Sequence, residues 1–163
     1  MKTKKLLITS LLFVGISFFV SCKKETTKTE PAPNYTNFKI TSVKLTAMPF
    51  VNGSSASWDV SDGPDVFFNM QNASGVVLSD GSASRVNNIS AGSLPLSWTF
   101  PSSYAITNLA TIHYVTVYDY DTLDPNDLIG YVGFKMDEHK TDYPTTITKS
   151  NGSLTIIITG SWY

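Results

Sequence analysis

From Phe38 to its last residue the chain is a succession of short runs rich in Val, Ile, Thr, Tyr and Phe, separated by clusters of Gly, Asn, Asp and Ser. Helical periodicity is absent, so the pattern predicts strands throughout. The candidate strands are Lys39–Ala47, Val66–Gln71, Gly75–Ser79, Arg85–Ile89, Leu96–Phe100, Ile112–Asp119, Ile129–Met136, Thr145–Thr148 and Ser153–Ser161. Asp80-Gly81 and Asn151-Gly152 fall between strand pairs, where such dipeptides supply the left-handed backbone of a hairpin turn. Many short strands at close spacing, with no internal repeat, predict an all-β antiparallel β-sandwich. At 163 residues, 42% of them apolar, the chain is expected to form one domain with a real core, over residues 37–163.

The N-terminus reads as an export signal. Lys2, Lys4 and Lys5 precede an uncharged stretch from Leu6 to Val20. That stretch is short for a membrane span and suits a signal peptide over residues 1–21. It ends in Ser21-Cys22, which resembles the lipobox of bacterial lipoproteins, where the cysteine is lipidated and becomes the new N-terminus. Cys22 is the only cysteine, which excludes a disulfide within the mature chain. Lys23 follows it, which by the same resemblance favours the outer membrane of a bacterial cell envelope. Residues 22–36 carry mixed charge, two prolines and no apolar periodicity, the composition of a flexible tether. Fully extended, the fourteen residues after Cys22 reach about 45 Å.

Seven of the ten aspartates fall in two short runs. Asp59, Asp62 and Asp65 form the first; Asp119, Asp121, Asp124 and Asp127 form the second. Each run contains a pair six residues apart, Asp59/Asp65 and Asp121/Asp127. Carboxylates crowded together repel and raise one another's pKa. A hard divalent cation relieves this, and calcium accepts six to eight oxygen ligands in irregular geometry. The alternative is two solvated acidic turns that never meet. The charge balance favours a site. From Tyr35 onward there are six Lys/Arg against eleven Asp/Glu, a balance of −5, and without the clustered aspartates the remainder is +2. A net charge of −1 overall suggests no nucleic-acid partner.

The segment Val117-Tyr-Asp-Tyr-Asp-Thr-Leu-Asp-Pro-Asn-Asp-Leu-Ile-Gly130 resembles the third calcium loop of the C2 domain family, the calcium- and phospholipid-binding β-sandwiches of synaptotagmins and protein kinase C. Asp119, Asp121 and Asp127, followed by Leu128, Ile129 and Gly130, match that loop. Asp59, Asp65 and Phe67 resemble the first calcium loop, and Leu94-Pro95-Leu96-Ser97-Trp98-Thr99-Phe100 resembles the family's proline-tryptophan segment. The likeness is poor between Asn72 and Ala91. It implies an eight-stranded C2-like sandwich with Asp59, Asp65, Asp119, Asp121 and Asp127 as calcium ligands. Asp124 occupies a further ligand position where the family varies, and Tyr120 offers a carbonyl. Asp62 has no regular counterpart. The lysine cluster of phosphoinositide-binding members is replaced by Arg85 alone.

Competing motifs fail on detail. An EF-hand counted from Asp119 places Leu123 at the fifth position and Gly130 at the twelfth, where oxygen ligands are needed. Nothing marks a sugar cleft for a glycosidase carboxylate pair. His113 and His139 lack partners for nucleophilic catalysis or for zinc. The expectation is therefore a non-enzymatic, lipid-anchored module that binds calcium and docks on phospholipid or another anionic surface. Trp58 and Leu123 are the candidate membrane contacts, unless they pack against the sandwich end. The competing expectation is an adhesion or interaction domain in which calcium only stiffens the loops while another face binds a protein or glycan.

Overall fold

The computed structural model describes residues 34–59 and 62–163. The predicted signal peptide, Cys22 and most of the tether lie outside the described residues. Eight strands follow in order: β1 (Phe38–Ala47), β2 (Val66–Asn72), β3 (Val77–Asp80), β4 (Leu96–Ile106), β5 (His113–Asp119), β6 (Asp127–Phe134), β7 (Thr146–Asn151) and β8 (Leu154–Trp162). They form two antiparallel four-stranded sheets, ordered β4-β1-β8-β7 and β3-β2-β5-β6. This is the all-β sandwich that the strand pattern predicts. Pro33–Tyr163 is a compact unit.

Alternation of inward apolar and outward polar side chains sets the register. Leu154, Ile156, Ile158 and Trp162 of β8 point inward, as do Val115 and Val117 of β5 and Phe68 and Met70 of β2. In β1 the parity slips between Ile40 and Ser42, where the pairing with both β4 and β8 shifts. That bulge keeps both Ile40 and Val43 in the core. Each such side chain contributes about 1.5–3 kcal/mol on burial. The three tryptophans fasten loops to this core. The indole N–H of Trp58 donates to the Pro49 carbonyl, that of Trp98 to Ser84 and that of Trp162 to Pro144, each at 2.9 Å.

The fold corrects the expected elements in three places. Arg85–Ile89 is no strand; a 3-10 turn at Ser82–Ser84 leads into a stretch that touches β2 by a single bridge, Val66 to Val86. Asp80-Gly81 is no hairpin turn, because the Asp80 carboxylate accepts the Ser82 N–H and starts that 3-10 turn instead. The β2–β3 reversal lies at Asn72–Gly75, where Asn72 Oδ1 accepts the N–H groups of Ser74 and Val76 and Gly75 has φ 78°. β4 also continues past Phe100 to Ile106, with its pairing to β1 jumping from Thr99 to Tyr104 around Pro101. Asn151-Gly152 is a hairpin turn as expected, with Asn151 opposite Leu154 and Gly152 at φ 58°.

Tyr35 packs edge-on against Tyr143, and the N–H groups of Thr36 and Asn37 donate to the Tyr163 carbonyl.

Candidate functional site

β2 and β5 are hydrogen-bonded neighbours, with Val66 opposite Asp119, and β5 pairs with β6 so that Asp119 stands opposite Asp127. Three adjacent strand ends therefore deliver Asp65, Asp119 and Asp127 to one end of the sandwich. Strand parity decides what becomes of Asp119. His113, Val115 and Val117 face inward, so Asp119 does too, and it is 1% exposed.

A carboxylate in that position needs partners. Oδ1 of Asp119 accepts the main-chain N–H of Asp65 at 2.7 Å. Oδ2 is buried with no hydrogen-bond partner. Burial pushes the Asp119 carboxyl up to about 6; the Asp65 N–H works against this, and Asp59, Asp121 and Asp65 add to it. Asp59 is also raised, first by burial and then by Asp62, Asp121, Asp65 and Asp127. Acids from the β1–β2 loop thus feel acids from the β5–β6 loop, and the two runs meet.

The backbone between the runs is pinned. The Tyr120 N–H donates to the Asp65 carbonyl at 2.8 Å, which ties the start of the β5–β6 loop to the end of the β1–β2 loop. The Asp65 carboxylate accepts the Asn88 N–H at 2.8 Å, and Asn126 Oδ1 accepts the Asp121 N–H at 3.0 Å. Gly63 is required beside this network, since the Ile89 carbonyl stands where its Cβ would be. Arg85 lies over the Tyr120 ring at 4.2 Å, and Phe67 stacks on Tyr118 nearby. Asn88 and Asn126 escaped the sequence reading because a main-chain donor and an isolated Asn have no spacing signature.

The remaining candidates divide. Asp124 is exposed and is not among the groups acting on Asp59 or Asp119. Asp62, without an assigned role in the sequence, is the charged neighbour that acts most strongly on Asp59. Leu123 projects from the β5–β6 loop at 96% exposure. Trp58 is half-buried and packs against the core, so only part of its ring is presented to solvent. Among the described residues no three acids, histidines or cysteines converge tightly enough to hold a metal ion as they stand. The donor set nevertheless fits a hard cation: it is all oxygen, it is mutually repulsive, and its most buried member has an unpartnered atom.

No protein-family model matches this sequence, and no curated protein matches it. Solved structures do. The chain is similar to a C2 domain with a TM-score of 0.51 at 15% identity, over 77% of this chain and 96% of that one. It is similar to human GIVD cytosolic phospholipase A2, in complex with methyl gamma-linolenyl fluorophosphonate and terbium chloride, with a TM-score of 0.50 at 11% identity. That match covers 80% of this chain but 18% of the phospholipase. It is also similar to the paired C2 domains of extended-synaptotagmin 2, with a TM-score of 0.51 at 10% identity, over 99% of this chain and 48% of that one. At such identities the likeness is one of fold. The chain is a C2-like β-sandwich.

Proposed function

We propose that this domain binds calcium at the acidic rim and, so loaded, docks on an anionic phospholipid surface, tethered to a bacterial envelope membrane by lipid on Cys22. One observation carries the reading: the buried Asp119 Oδ2 has no hydrogen-bond partner while five other aspartates act on the same rim. A buried acceptor left alone costs about 1–3 kcal/mol, which an ion would recover.

In this reading Asp59, Asp65, Asp119, Asp121 and Asp127 hold the ion, with Asp124 joining from the exposed loop. Bound calcium supplies positive charge and open coordination positions for phosphate oxygens. The chain's own part is placement. The Asp65–Asp119 hydrogen bond fixes the floor, Asn88 and Asn126 hold the flanking loops, and Leu123 stands ready to enter the apolar layer. Trp58 adds less than Leu123, because much of its surface already packs against the core. No catalytic group is invoked, and the module is proposed as non-enzymatic.

The test is sedimentation of the Pro33–Tyr163 unit with phosphatidylserine-containing vesicles, in calcium or in chelator. Calcium-dependent partitioning, reduced in Leu123→Asp, supports the proposal. Equal partitioning in both conditions discards it. Calcium binding without vesicle binding would favour the adhesion reading, to which the packed Trp58 lends some support.

A further inference from the structure

The outer face of the β3-β2-β5-β6 sheet carries a second feature, built from residues that the rim does not use. Its centre is β5, whose outward side chains are Tyr114, Thr116 and Tyr118. Gln71 of β2 and Leu128 and Tyr131 of β6 flank them, and together they line a depression of about 290 Å³. In the ladders Thr116 lies opposite Tyr131, Tyr114 opposite Gln71, and Tyr118 opposite Leu128.

The floor of this depression is polar and ordered. Thr116 donates its hydroxyl to Gln71 Oε1 at 3.0 Å, and Gln71 Nε2 donates to the Tyr118 hydroxyl at 3.2 Å. An amide held at both ends is oriented, and its second N–H is left over. So is the hydroxyl proton of Tyr118, which accepts from Gln71 and remains a donor. The walls are aromatic. Tyr114 and Tyr131 meet edge to face, with centroids 5.7 Å apart at 80°. The Tyr114 ring needs the neighbouring glycine, because a Cβ on Gly133 would lie 3.0 Å from it. Tyr131 is 46% exposed, a large ring face left in water.

No residue lining the depression carries a charge. That decides among occupants. A phosphate or sulfate group would find no cation, since Arg85 is engaged over Tyr120 and lies outside the lining. An acyl chain would desolvate the Gln71–Thr116–Tyr118 floor without replacing its water. A sugar ring satisfies both surfaces. Its aliphatic C–H face packs on a tyrosine face, which is electron-rich, and its hydroxyls exchange hydrogen bonds with amide and phenol. The volume lies at the lower end of ligand pockets, enough for a short segment rather than a long chain. We propose that this tyrosine-lined depression is a binding site for a neutral glycan, distinct from the acidic rim and independent of calcium.

The test is isothermal titration calorimetry on the full chain, kept in a detergent without a sugar headgroup and with chelator present. The probes are malto-, cello-, manno-, xylo- and chitohexaose, with hexagalacturonate as the anionic comparator. The expected result is saturable binding of at least one neutral hexaose. Tyr131→Ala should weaken it about tenfold or more, the loss expected when a stacked ring is removed. Tyr131→Phe keeps the ring and should weaken it less. Gln71→Ala provides a second lesion should Tyr131→Ala fold poorly, and Asp121→Asn should leave the affinity unchanged. The proposal is overturned if no neutral hexaose saturates at millimolar concentration, if binding survives both Tyr131→Ala and Gln71→Ala, or if hexagalacturonate binds better than every neutral probe.

Discussion

Asp65 and Asp119, fifty-four positions apart in the chain, are joined by one hydrogen bond in which the main-chain N–H of the first donates to Oδ1 of the second at 2.7 Å. Asp65 is thereby held to Asp119 by its backbone while its own carboxylate is held to Asn88. Two acids that repel as charges are kept together by donors that are not charges at all. The rim exists before any ion arrives, with its deepest carboxylate in place and the outer ones still apart.

Calcium should therefore stabilise the fold. For an extracellular-type site with a dissociation constant of about 10⁻⁵–10⁻³ M, calcium at 100 times that value adds about 2.7 kcal/mol per independent site. Melting of the Pro33–Tyr163 unit in chelator and in millimolar calcium measures this. Asp121→Asn should abolish most of the difference, since Asp121 acts on both Asp59 and Asp119. An unchanged melting temperature on adding calcium rejects the site.

The pH response without metal follows from the sign of the Asp119 shift. Its carboxyl titrates near 6 in the fold against an ordinary 3.8. The folded state thus holds the proton that the unfolded chain releases, and stability falls as pH rises from about 4 to about 6, then levels. His113 works oppositely: burial lowers its pKa, so stability is lost as pH drops below its ordinary 6.5. The informative quantity is the melting difference between Asp119→Asn and wild type, measured in chelator at each pH. It should widen from about pH 4 to about pH 6 in favour of the variant, and a difference that stays constant would contradict the burial of this carboxylate with one oxygen unpartnered.

Leu123→Asp separates docking from folding. The side chain is 96% exposed, so its replacement should change stability by no more than about 0.5 kcal/mol. Inserting a leucine into an apolar layer gains about 1.5–3 kcal/mol, so vesicle partitioning should fall about tenfold or more. Equal vesicle affinity of variant and wild type would remove Leu123 from the interface.

Gly63→Ala probes the loop that Asn88 belongs to. The added Cβ collides with the Ile89 carbonyl, and main chain cannot yield as a flexible side chain would. A loss of about 1–3 kcal/mol is expected from such overpacking, together with weaker calcium binding as Asn88 withdraws from Asp65. Thermal denaturation and terbium luminescence titration read the two effects separately.

Sequence pattern located β2, β5 and β8 because their core faces repeat every second residue, and β1 in spite of the bulge that shifts its repeat, a signal that survives without any knowledge of partners. It failed over residues 80–89, where Ser, Asp and Gly offer the backbone several local hydrogen bonds and tertiary contact chooses among them. There Asp80 bonds Ser82 rather than closing a hairpin, and Trp98 holds the Ser84 carbonyl from another strand. The acidic runs were legible for the same reason as the strands, their spacing. The ties that fix them were not, since Asn88 acts through its main-chain N–H and any residue but proline could have supplied one. Gln71 and Thr116 likewise read as ordinary strand residues until their strands are laid side by side.

The inward parity of β5 makes the deepest charge of the rim a passenger of the hydrogen-bond ladder. Were β5 to slip by one residue against β2, Val115 and Val117 would swing into solvent, while Tyr114, Thr116 and Tyr118 would crowd the core. The same slip would carry Asp119 to the outer face. The packing of two apolar sheets therefore fixes the address of a single carboxylate, and no change in the loops alone can move it.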